Sequence, residues 1–145
     1  MITDAQLTFS NLQAITADAA STNQIDLTTA RNLARSGARS MRFVVLVTTA
    51  FNTLTSLTAS IRQSAATNMG SPTTMLTGPT VALANLTVGA KLLDVPWPDI
   101  DPVANQQYID IYYEVAGTDP TLGKVWAGIV LDDEGGEYRL GNTGR

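Results

Sequence analysis

Thirteen carboxylates, nine basic side chains, four tyrosines and two tryptophans are the groups with which this 145-residue chain could do chemistry; it has no Cys and no His. That removes thiol nucleophiles, Cys/His zinc sites, iron–sulfur clusters and every scheme built on imidazole. The carboxylates cluster at Asp99-Ile100-Asp101 and at Asp132-Asp133-Glu134 with Glu137. Clustered acids suit calcium, but the EF-hand spacing is missing and both clusters fall among turn residues, where acids are ordinarily just solvated. Paired carboxylates also cleave glycosidic bonds, yet no pair is singled out by pattern. The serines lack a histidine base, Lys91 and Lys124 sit in no Ser–Lys motif, and neither standard phosphate-loop spacing occurs. The expectation is a protein that is not an enzyme and holds no metal or other cofactor.

Binding chemistry has better candidates. Arg31, Arg35, Arg39 and Arg42 recur at short intervals, and guanidinium groups pair bidentately with carboxylates on a partner. The ordinary alternative is pairing within the chain. Residues 1–91 carry +3, whereas residues 92–145 carry −7, so the halves are complementary. A net charge of −4 makes a poor polyanion binder, and no nucleic acid partner is expected. Trp97 stands between Pro96 and Pro98, a stiff loop offering a large ring with little entropy to lose; plugging the end of the fold is an equal use for it. Tyr108 and Tyr112 alternate with Asp110 and Glu114 on one strand face, an arrangement that binds sugars or is plain outer sheet surface.

The elements that must position these groups are strands. Phe43, Val45 and Val47 point one way and Val44 and Leu46 the other, so both faces of this strand are apolar. Lys124–Leu131 repeats the pattern, with Val125, Ala127, Ile129 and Leu131 opposite Trp126 and Val130. Leu57, Ala59 and Ile61 alternate with Thr58, Ser60 and Arg62 as a half-exposed strand, and Ile109, Ile111, Tyr113 and Val115 form the inner face of another. Gly70-Ser71-Pro72 and Gly78-Pro79 read as turns, with short strands at Val81–Leu86 and Val88–Asp94. Strand pieces at Gln6–Phe9 and Gln24–Leu27 and a helical turn within Thr28–Gly37 complete the reading. The pattern argues for an all-β fold, an antiparallel sandwich or barrel with an extended N-terminal arm. The divisions are an arm over 1–40, a sandwich core over 41–132 to which the arm can add strands, and an acidic, Gly-rich tail over 133–145. The longest apolar run, Phe43–Val47, is far short of the ~18–20 residues of a spanning helix, so no membrane is expected. The N-terminus lacks signal-peptide character, which predicts a protein that starts life in the cytoplasm of the cell that makes it.

The opening Met1-Ile2-Thr3-Asp4-Ala5-Gln6-Leu7-Thr8-Phe9-Ser10, then Ile25-Asp26-Leu27, Phe43 through Phe51, Leu86-Thr87-Val88-Gly89-Ala90, Tyr108-Ile109, Tyr112-Tyr113 and Val125 through Asp132, resemble small decoration (cement) proteins of tailed-bacteriophage heads. The resemblance implies a jelly-roll sandwich on the outer surface of the virion, partnered with the major capsid protein, often as a homodimer and without enzyme activity. The capsid or dimer interface is then expected at Ile2, Leu7 and Phe9 of the arm, at Arg31, Arg35 and Arg39, and at Trp97 and Trp126. Removing residues 1–27 is expected to weaken attachment more than the fold. The alternative is a carbohydrate-binding sandwich for host attachment, built on Tyr108 and Tyr112.

Overall fold

A computed structural model describes residues 2–27, 41–96 and 106–131. Among them are nine strands: β1 Ile2–Ala14, β2 Ala19–Ala20, β3 Ile25–Asp26, β4 Met41–Thr49, β5 Leu54–Ser64, β6 Thr73–Ala82, β7 Lys91–Pro96, β8 Tyr108–Gly117 and β9 Lys124–Leu131, with one 3-10 turn at Leu83–Asn85. One sheet has the order β1-β9-β4-β7; the other runs β2-β8-β5-β6, with β3 also on β8. Every pairing is antiparallel.

The pairings nest. β1 pairs with β9, β2 and β3 with β8, β4 with β7 and β5 with β6. This is one long hairpin rolled up, closed by the further pairs β4–β9 and β5–β8, which is the wrapping of a jelly roll. The expected all-β sandwich is the observed fold. The inward sets are those the alternation marks: Phe43, Val45 and Val47 of β4 and Ile109, Ile111 and Tyr113 of β8 are all buried. Each such side chain contributes roughly 1.5–3 kcal/mol by leaving water.

Residues 2–27 are not an appendage to this core. Phe9 and Ile15 are 0% exposed and Ile25 is 4%, and the Phe9 and Phe43 rings stack at 5.8 Å. The chain crosses from the first sheet to the second over residues 15–18, where Ile15 N–H donates to Gly123 O and Val115 N–H to Asp18 Oδ1. They supply the first strands of both sheets, as an arm able to add strands would, so removing residues 1–27 is expected to weaken the fold as much as any attachment.

Two turn assignments also change. Gly78-Pro79 lies inside β6, at a register slip where Thr58 faces Thr80 but Ser60 faces Thr77. This is a bulge in an edge strand, where proline is tolerated because no ladder bond is lost. A Cβ at Gly78 would sit 2.7 Å from Ala59 O, so only glycine lets the bulge press this close. The strand read at Val81–Leu86 accordingly ends at Ala82, and Leu83–Asn85 is the 3-10 turn. The helical turn within Thr28–Gly37 lies outside the described residues.

Candidate functional site

The two strands with apolar residues on both faces are neighbours at the centre of one sheet. β4 and β9 pair with Val44 opposite Gly128 and Leu46 opposite Trp126, which brings four outward apolar side chains together. Val44 and Val130 are 4% exposed, while Leu46 and Trp126 are half-buried. Trp126 leans over Gly128: a Cβ there would meet Cη2 at 2.7 Å and Cζ2 at 2.8 Å. The glycine thus seats the six-membered half of the indole.

Beside this ring is a cleft of about 470 Å³ lined by Ala5, Thr8, Phe9, Asn11, Thr22, Asn23 and Trp126. Its wall is built by β1 and the turn between β2 and β3. Asn23 N–H donates to Phe9 O (2.9 Å) and Asn23 Nδ2 to Thr8 O (2.9 Å). Thr22 N–H donates to Gln13 Oε1 (2.9 Å), and Gln13 Nε2 to Ala20 O (2.8 Å). Beneath them Ser10 Oγ lies 2.8 Å from Tyr113 OH. Burial pushes the Tyr113 hydroxyl well above the usual phenol range; the Ser10 hydrogen bond works against that rise and the nearby Asp110 charge adds to it.

The Tyr108–Glu114 face is not the open stripe its alternation suggests. Asp110 is 1% exposed and Tyr108 9%. Arg62 grips Asp110 with both ends of its fork, Nη2 at 2.5 Å from Oδ2 and Nε at 3.0 Å from Oδ1, and its guanidinium lies 4.1 Å from the Tyr112 ring centroid. The aromatic face that a sugar would need is occupied by an arginine. Thr58 and Ser60, read as half-exposed, are buried on the same side. Arg42 also pairs internally: its Nε is 2.6 Å from Asp94 Oδ1, and Lys91 Nζ is 2.5 Å from Oδ2. Burial pushes the Asp94 carboxyl upward, but the hydrogen bonds from Lys91 and Arg42 and their charges outweigh it and leave the group below its ordinary 3.8.

Of the expected interface residues, the structure brings Leu7, Phe9 and Trp126 together. Leu7 meets the site through its backbone, whose O would stand 3.2 Å from a Cβ on Gly128, while its side chain packs against the core; Phe9 reaches the cleft floor but is a core residue with no surface to offer, because its ring is needed against Phe43. Ile2 is at the far end of β1, opposite Leu131. Arg31, Arg35, Arg39 and Trp97 lie outside the described residues, as do both acidic clusters.

A second feature has no mark in the amino-acid sequence. Leu12, Val88 and Leu122 are 56%, 68% and 60% exposed. All three sit at one end of the roll: Gln13 faces Val125, Gly89 N–H donates to Val47 O, and Ile15 N–H donates to Gly123 O, while Val47 itself faces Val125. Period-2 alternation does not mark such positions, because they fall at a bulge or in loops; Leu12 has φ 53°.

The Bbp16 family profile matches residues 9–129, from Phe9 in β1 to Ile129 in β9, and so reaches into every strand of both sheets. The chain belongs to the Bbp16 family. Bbp16 is a phage-associated family. No curated protein matches this chain. No helix among the described residues is long and apolar enough to cross a membrane.

Proposed function

We propose that this protein is a structural component of a tailed-phage virion that binds the outside of the major capsid shell and stabilises it, without catalysis or a cofactor. The observation that carries the reading is the apolar tip: Leu12, Val88 and Leu122, the large apolar side chains left most open among the described residues, share one end of the roll. Family membership supplies the phage context. Exposed apolar side chains gathered in one place mark contact surfaces, and the cores of such contacts are depleted in charge.

Magnitudes decide how such a tip must work. Burying three such side chains yields roughly 5–9 kcal/mol, whereas association costs about 4–15 kcal/mol. One tip on one capsid subunit is near break-even. Two tips held in a homodimer convert the second contact into an intramolecular one, and a shell repeats the arrangement many times. The homodimer is part of this proposal, and light scattering of the isolated protein reads it.

The attachment test uses capsids stripped of the protein. The full chain should sediment with them. The triple variant Leu12→Ser, Val88→Ser, Leu122→Ser should stay in the supernatant with an unchanged melting temperature. Failure of the full chain to sediment would refute capsid binding. Equal sedimentation of both would keep capsid binding and refute the tip.

A further inference from the structure

The Trp126 cleft is on the outer face of the β1-β9-β4-β7 sheet, and the capsid reading makes no use of it. Among the described residues its lining contains no ionisable side chain. A phosphate, a nucleotide or a charged peptide would find nothing among them to neutralise it, and burying a charge without a partner is costly. The ligand that fits is neutral. One side of the cleft is aromatic, from Trp126; the other carries amides and hydroxyls, from Asn11, Asn23 and Thr22. A ligand matching both has one face of C–H groups and a rim of hydroxyls, which is the surface of a pyranose ring.

The site is also held in shape. Gly128 seats the indole from below. The Thr22–Asn23 wall is tied to β1 by hydrogen bonds from both backbone amides and from Asn23 Nδ2. The β1–β9 register slips on either side of Ser10, and such slips re-aim side chains beside functional sites; here they place Asn11 on the cleft. Preorganised walls lower the ordering cost of binding.

We propose that this cleft is a binding site for neutral sugars, with one pyranose stacking on Trp126 and its hydroxyls hydrogen-bonded by Asn11, Asn23 and Thr22. A cleft this open binds weakly one copy at a time. Repeated over a shell, weak sites sum to firm adhesion to a glycan-coated surface. That last step rests on the capsid reading; the sugar site itself does not.

The test titrates the full chain with maltotriose, cellotriose, mannotriose and chitotriose, read by proton–nitrogen correlation spectra. With at least one probe, the Trp126 indole N–H and the amides of Asn11, Thr22 and Asn23 should shift saturably at millimolar concentrations. Trp126→Ala and, separately, Asn11→Ala should weaken binding by at least about tenfold; the exposed Asn11 should do so without moving the melting temperature. The Leu12, Val88, Leu122 triple variant should bind sugar normally. No saturable shift with any probe, or equal binding by the variants, would overturn the proposal. Loss of capsid sedimentation in Trp126→Ala with no sugar response would also overturn it and assign the cleft to the capsid instead. Loss of sedimentation in the tip variant alone would leave it standing.

Discussion

Asp94 shows how far local charge shapes this molecule. Its carboxylate receives Arg42 from the adjacent strand and Lys91 from three residues back, and its folded-state pKa lies below the ordinary 3.8. A depressed carboxylate stabilises the fold above its unfolded pKa and loses that contribution as pH falls through the folded value. The effect is therefore complete at neutral pH and disappears in acid below about pH 4. Thermal melts of the wild type and Asp94→Asn should differ at pH 7 and converge as the pH falls through the acid range below about 4, with the wild type showing the steeper acid decline. Parallel curves at every pH would show that the Asp94 charge contributes nothing. The Arg42 guanidinium, one of the four that looked available to an acidic partner, is thus committed within the chain. Its partner lies 52 residues away, so no local pattern could announce the pairing. The same distance problem hid the burial of Asp110, whose arginine is 48 residues upstream.

Strands declare themselves when alternation is clean. Phe43–Val47 and Ile109–Val115 are legible because period-2 apolarity is a local property that burial then enforces. β6 is not, because Gly78-Pro79 is a turn signal that an edge strand absorbs as a bulge. Residues 2–27 are legible only as short strand pieces for a related reason: β1 carries polar residues at many of its positions and slips register three times, so its periodicity is faint although it closes the first sheet. Its energetic weight is not faint. Truncating one buried Phe such as Phe9 costs about 3–5 kcal/mol, and whole domains are stable by about 5–15 kcal/mol. Deleting residues 1–27 removes Phe9, Ile15 and Ile25 together and exposes the edges of β9 and β8. The deletion variant should be insoluble or lack a cooperative melt by circular dichroism. A soluble variant with a sharp transition would show that the roll closes without its opening strands.

The molecule as a whole has two unlike ends. Met41 faces Leu131, Arg42 faces Pro96 and Asp26 faces Tyr108, so the chain leaves toward 28–40, 97–105 and 132–145 from one and the same end. Those stretches contain Arg31, Arg35 and Arg39 and most of the carboxylates of the acidic half. Leu12, Val88 and Leu122 mark the opposite end. On the capsid reading, the apolar end meets the shell and the charge-rich connections attach at the end facing outward, leaving the sheet face with Trp126 on the flank. Trp126 was individually visible in the sequence, but the tip was not, and the separation of tip from flank depends on pairings such as Ile2 with Leu131 and Gln13 with Val125, between the two ends of the described chain.

The nested pairing also sets the order of events at synthesis. The innermost pair, β5 with β6, is complete early, but β1 leaves the ribosome before the other described strands and its partner β9 leaves after all of them. Long-range closures of this kind are slow because loop entropy is lost before contacts repay it. Until β9 emerges, β1 presents an open edge to every other nascent copy. A chain halted before Lys124 should therefore be protease-sensitive throughout residues 2–27, and release of the last strand should confer protection in a single step; protection of β1 in the halted chain would show that it finds a home before its partner exists.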